Sequence, residues 1–191
     1  MSITARTALP TGVWTVDPGH SNVEFSAKHL GIVTVRGAFK EFEGSVEVGD
    51  DGSTRARGTV QAASLDTNEQ TRDTHLRSEE FFHAEVHPEL VFESREIRPL
   101  DEDTFEIHGD LTMRGVTRPV ILSAEVHGTE IDPWGNERVG LEVHGQLNRG
   151  DWGMTFNQVL ASGNKFVSDK VKLSLDISAI KQSSEGPVPA A

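Results

Sequence analysis

Lys170-Val171-Lys172-Leu173-Ser174-Leu175-Asp176-Ile177-Ser178-Ala179 alternates polar and apolar residues without a break. A period of two puts Val171, Leu173, Leu175, Ile177 and Ala179 on one face of an extended strand; a helix would need apolar spacings of three and four. The same alternation recurs at Val23, Phe25, Ala27, at Phe105, Ile107, Gly109, Leu111, at Val120, Leu122, Ala124, Val126, and at Val139, Leu141, Val143, Gly145, Leu147. Around Lys40 and Glu41 the parity switches, from Val33, Val35, Gly37, Phe39 to Phe42, Gly44, Val46, Val48, which implies a bulge or tight turn. Ala56, Gly58 and Val60 continue the even set. One apolar and one polar face per strand is the antiparallel pattern.

Turn signals separate these stretches. Asp50-Asp51-Gly52-Ser53, Arg114-Gly115 and Pro133-Trp134-Gly135-Asn136 read as hairpins. With connections this short, neighbours in sequence become neighbours in the sheet, so the expected fold is an all-β antiparallel up-and-down barrel with one or two short helices. The helical interruption falls between Leu65 and Pro88. Asp66, Thr67 and Asn68 offer caps, Glu69 to Arg77 are good helix formers, and Ser78 is placed to cap a further turn that ends on Phe81-Phe82. A second irregular piece, Asn148 to Asn157, carries Trp152, Met154 and Phe156, which must be buried somewhere.

The chain of 191 residues fits one domain. Residues 12–181 carry the alternation, and residues 1–11 and 182–191 read as flexible tails. A formal charge of −12 gives a field that repels phosphate backbones and anionic bilayers, so nucleic acid is not an expected partner. The absence of cysteine excludes disulfides and thiolate chemistry. No apolar run reaches the length of a membrane-spanning helix, and the first ten residues hold no apolar core of a secretory signal, so the expected location is cytoplasmic. The apolar loops allow a homodimer.

Small residues on the apolar faces, among them Ala27, Gly37, Gly44, Ala56, Gly58, Gly109, Ala124 and Gly145, point to a lumen not filled by side chains. The competing reading makes the glycines bulges and barrel corners around a filled interior. An aliphatic and aromatic wall suits an apolar chain. At about 0.8 kcal/mol per buried methylene, three isoprene units give on the order of 10 kcal/mol before ordering costs.

Reactive constellations are sparse. His83-x-x-x-His87 with His75 upstream has spacing that suits a metal only on a helix, and Pro88 disfavours a helix there, so no metal site is expected. Asp17, His20 and Ser21 are the residue types of a hydrolase triad but crowd one turn, and no nucleophile elbow is present. No catalytic residue and no cofactor are assigned. His29 continues the apolar parity of β-strand Val23–Ala27 and is a candidate head-group contact.

The sequence resembles the YceI-like family of lipocalin-like, polyisoprenoid-binding proteins. The likeness covers nearly the whole domain and rests on four ordered blocks: Trp14 to Ser21, Leu76 to Phe82 followed by His87-Pro88, Gly109 to Val120, and Val167 to Val171. It implies an extended, lipocalin-like eight-stranded antiparallel β-barrel whose elongated apolar pocket takes an isoprenoid chain, such as the tail of a quinone or polyprenyl phosphate. On that reading Phe25, Phe39, Phe42, Phe92, Phe105, Leu141 and Leu175 line the pocket. Phe81, Phe82, Trp152 and Phe156 close its mouth, and His29 and Arg149 meet the head group. The alternatives are an enzyme with a rim histidine acting on a small apolar substrate, and a stress-linked interaction module with a filled barrel.

Overall fold

The computed structural model describes residues 9–183. Its strands are β1 (Gly12–Val16), β2 (Asn22–His29), β3 (Val33–Phe39), β4 (Phe42–Val48), β5 (Thr54–Gln61), β6 (Leu65–Asp66), β7 (Glu89–Pro99), β8 (Thr104–Met113), β9 (Val116–Ile131), β10 (Glu137–Asn148) and β11 (Val167–Lys181). One α-helix, α1 (Gln70–Arg77), lies between β6 and β7.

Three pairs of short strands are single staves with a bend. The β1–β2 stave breaks at the turn Pro18–His20, β3–β4 at Lys40–Glu41, and β5–β6 at the 3-10 turn Ala62–Ser64. β1 pairs β4 while β2 pairs β3, so the first two staves form one bent hairpin. β5 pairs β4 and β6 pairs β3, which continues the meander into the third stave. β7 through β11 follow in order, and β11 closes the ring by pairing β1 through Ala179–Lys181 and β2 through Val167–Asp176. The result is a closed eight-stranded antiparallel barrel in which every stave neighbours the next in sequence.

The parity switch at Lys40–Glu41 is the bend that the alternation implies: paired register runs from Val23 with Phe39 to Thr15 with Ser45, leaving seven residues of one stave opposite five of the other. At the hairpin Arg114-Gly115 both residues have positive φ, 51° and 71°, the mirror-image turn that matches strand twist.

Leu9, placed by the sequence in the N-terminal tail, is buried in the core, and Pro10 accepts the indole N–H of the fully buried Trp14 at 3.0 Å. Ordered packing therefore begins before residue 12. Gln182 likewise donates its amide to the carbonyl of Val13 at 2.7 Å. The rest of both expected tails, 1–8 and 184–191, lies outside the described residues.

Two clusters of buried side chains close the barrel's ends. Leu9, Trp14, Val48, Phe105, Val126 and Val139 fill the end where the chain enters. Leu111, Met113, Val120, Leu147, Trp152 and Met154 fill the end beneath α1. Among the described residues, no helix is long and apolar enough to cross a membrane.

Candidate functional site

Between the two clusters, inward-pointing side chains such as Val23, Phe25, Phe42, Phe92, Leu141 and Leu175 are only half-buried, although every stave around them is hydrogen-bonded. They face a cavity of about 320 Å³, within the range of small-molecule sites. On β8 its wall runs from Phe105 to Met113, on the order of 20 Å along the barrel axis for a tilted strand. A filled interior would bury those side chains completely, so the filled-barrel alternative does not describe this protein.

The glycines do not all contribute to that space. A Cβ at Gly37 would lie 2.5 Å from Cζ of Phe25, and one at Gly109 would lie 2.5 Å from Cε2 of Phe92 and 2.6 Å from the carbonyl of Glu93. Leu122 covers Gly145 in the same way. These three make room for a large cross-strand neighbour. Gly58 is different: a Cβ there meets only the carbonyl of Glu43, at 3.6 Å. Gly58 pairs with Gly44, and both lie on the cavity wall with Ala56, but a Cβ at Gly44 would meet the carbonyl of Arg57 at 3.0 Å and Val16 at 3.2 Å, so Gly58 is the open position of the pair.

Phe25, Phe39, Phe42, Phe92, Phe105, Leu141 and Leu175 all line the cavity, as do Phe81, Phe82 and Arg149. His29, Trp152 and Phe156 are not on its wall. Trp152 is packed into the end cluster, its indole N–H donated to the carbonyl of Leu111 at 3.0 Å. Phe156 packs outside Phe81, ring centroids 5.5 Å apart, and against His75 at 4.8 Å. His29 stands edge-on to Phe166 at 4.8 Å. Lining residues the sequence reading passed over include Leu9, Leu76, Leu90, Met113 and Met154. Leu90 and Met113 continue the alternation of Phe92 and Leu111; Met154 is marked in the sequence only as a large apolar loop residue in need of burial, and nothing local marks Leu9.

The cover beneath α1 is held by arginines rather than by strand ladders. Glu69, not Asp66, Thr67 or Asn68, caps α1, accepting from the amides of Thr71 and Arg72. Thr67 instead donates its hydroxyl to the buried Asp73, and Asn68 has a left-handed φ of 62°. Ser78 ends α1, and its hydroxyl bonds the carbonyl of His75; Phe81-Phe82 follow in turns, with no second α-helix. Arg77 donates to the carbonyls of Ala63 and Leu65, and Arg114 to those of Glu79 and Phe81.

Arg149, expected as a head-group contact, is 4% exposed, and its donors go to the carbonyls of Ser168, Met154, Phe156 and Val167. Burial lowers its pKa, and Asp169 at 3.6 Å opposes that shift. Its guanidinium therefore staples the 154–168 segment over the barrel end and offers no free fork to a ligand.

Asp17, His20 and Ser21 do come together, but without a relay. His20 Nδ1 is 2.8 Å from Asp17 Oδ2, while Ser21 donates its hydroxyl to the carbonyl of Asp17 at 2.7 Å. Arg138 bridges Asp17 and Asp132, at 2.7 Å to each, and its hydrogen bond is the main reason the Asp17 carboxyl falls to about 2. The cluster pins the first bend to the β9–β10 hairpin. Among the described residues, no group of three His, Asp or Glu side chains is placed to hold a metal ion; His83 and His87 face each other at 5.7 Å without a third partner.

Comparison with known proteins matches residues 14–179 to the YceI-like domain. A UPF0312 protein of Photorhabdus laumondii is 39% identical over 153 residues, covering 78% of this chain and 79% of that protein. The Campylobacter jejuni YCEI protein superposes with a TM-score of 0.70 at 28% identity, covering 82% of this chain and 90% of that one. A polyisoprenoid binding domain from Saccharophagus degradans shares the fold, with a TM-score of 0.65 at 12% identity over 88% of this chain and 98% of that one. The ordered blocks, the bent-stave barrel and these matches agree: the chain belongs to the YceI-like domain family.

Proposed function

We propose that the protein is a binding or carrier protein that holds an amphiphile by its isoprenoid tail, of the quinone or polyprenyl phosphate type, inside the barrel. The observation that carries this reading is the long apolar cavity of about 320 Å³, walled by half-buried aliphatic and aromatic side chains. A branched hydrocarbon chain replaces water along such a wall at about 0.8 kcal/mol per methylene, with no polar partner required. The cavity wall is overwhelmingly aliphatic and aromatic, and the buried cation on it, Arg149, gives four hydrogen bonds to backbone carbonyls. The role of the protein is therefore sequestration or transfer, without turnover.

The test is solvent extraction of purified protein, followed by mass spectrometry. The expected result is a prenylated lipid in stoichiometric amount. Protein expressed in several hosts that yields no apolar compound, and binds no added polyprenyl phosphate, would refute the reading.

A further inference from the structure

Net charge hides a local reversal. Where the β2–β3 hairpin and the 157–166 segment meet at the helix end of the barrel, Lys28, Arg36, Lys165, Lys170 and Lys172 are all exposed. Asp169 stands among them, paired with Lys165 and 3.6 Å from Arg149. The nearest carboxylates besides Asp169 are Glu24, diagonally across from both Lys172 and Arg36 at about 7–8 Å, and Asp66, which pairs Ala38 two residues from Arg36; Asp176 lies four residues from Lys172. Five cations against Asp169, Glu24 and Asp66 leave the sector net positive, so a surface touching it within the Debye length of about 8 Å at physiological salt meets positive charge. The repulsion expected from the overall −12 applies at distance and not at this contact.

The same sector carries the two most exposed large apolar side chains at that end, Ile32 and Val159, with Val33 beside Ile32; on the cover Val86 is 58% exposed. Ile32 is 73% exposed, Val33 53% and Val159 78%. They are not frayed ends. Leu30 and Gly31 form a tight turn with φ of 55° and 76°, closed by the Ile32 amide on the carbonyl of His29 at 3.1 Å. A leucine in the left-handed region is strained backbone that the surrounding bonds must hold. The Leu30 amide bonds the carbonyl of Phe166, and Asn164 donates to the carbonyl of Leu30, which locks the two tips side by side. Val167 and Ala27, at the base of this sector, are part of the cavity wall. Across the mouth the charge is opposite, with Glu79, Glu80 and Glu85 on the cover after α1.

We propose that this sector docks the barrel on an anionic lipid surface, with Ile32, Val33 and Val159 entering the interface and the five cations contacting lipid phosphates. The apolar tips select a bilayer over a nucleic acid, because a phosphate backbone offers them nothing to enter. The acidic cover on the far side tilts the molecule so that the basic sector, next to the cavity wall, faces the lipid. This inference goes beyond the lumen reading: docking is measured on vesicles that contain no isoprenoid, so either reading can fail without the other.

The experiment is flotation with vesicles of phosphatidylcholine alone and of phosphatidylcholine with phosphatidylglycerol, at low and at physiological salt. The intact chain is expected to float only with the anionic vesicles, and less so as salt rises. Lys28→Gln with Lys170→Gln should weaken binding about thirtyfold, since each lysine near the surface contributes comparably. Ile32→Ser with Val159→Ser should weaken it about tenfold. Glu85→Gln, across the mouth, should leave it unreduced. All these sites are exposed, and a thermal melt checks each fold. Absence of flotation with anionic vesicles, equal flotation of wild type and both double variants, or tighter binding to single-stranded DNA than to the vesicles would each overturn the proposal.

Discussion

Replacing Gly58 by leucine separates an accessible lumen from one that only looks hollow. A Cβ at Gly58 finds ordinary contact with the carbonyl of Glu43 at 3.6 Å; its partners are Gly44 on one side and Phe92 on the other, and no Phe92 atom comes within 4 Å of that Cβ. The added side chain thus enters the cavity without displacing the wall. Its four carbons occupy space that four ligand carbons would otherwise fill, about 3 kcal/mol of transfer free energy, or on the order of a hundredfold in Kd. In the ligand-free protein the same leucine gains apolar contact and removes a strand glycine, worth about 0.5–1 kcal/mol, so stability should not fall. Titration with a fluorescent polyprenyl phosphate analogue measures the first effect, and a thermal melt the second. Unchanged affinity in a correctly folded Gly58→Leu protein would refute the claim that the ligand lies in the lumen.

Gly109→Ala is the counterpart: its Cβ would meet Phe92 at 2.5 Å and the Glu93 carbonyl at 2.6 Å, so denaturant unfolding should show a loss of about 1–3 kcal/mol. Arg149→Met leaves four carbonyls without their donor and should destabilise by about 2–4 kcal/mol in the same assay. Arg114→Met frees the carbonyls of Glu79 and Phe81; faster proteolysis of the 78–88 segment and faster ligand release are expected, with the barrel intact. The Asp17 carboxyl is lowered from 3.8 to about 2, chiefly by its Arg138 hydrogen bond and then by His20. A depressed folded-state value stabilises above pH 3.8 and is lost as pH falls through about 2, so acid unfolding of Asp17→Asn should be flatter across that window, by up to about 2 kcal/mol.

The barrel was legible because each stave has one wet and one apolar face, and Leu173, Leu175 and Ile177 declare it without reference to anything distant. The bend at Lys40–Glu41 was legible for the same reason, as a break in parity. The cause of hollowness was not. A glycine in an alternating strand marks missing volume, but whether a neighbour fills it depends on register: Phe25 covers Gly37, while nothing covers Gly58. The cover was the least legible part. Arg149 in a glycine-containing loop reads as a cation for a ligand, yet its acceptors lie five to nineteen residues away, where only the folded chain brings them. Trp152 and Phe156 follow from that staple, one drawn into the end cluster and one left outside Phe81. Capping by Glu69 was hidden because Asp66 and Thr67 are engaged locally, with Asn68 and Asp73.

The most direct measurement is a crystal structure of the protein grown with a polyprenyl phosphate. The account predicts continuous ligand density along the barrel axis, in contact with Gly58 and running between Phe105 and Phe82. Density confined to the outer surface, or a lumen filled by rearranged side chains with the lipid excluded, would contradict it.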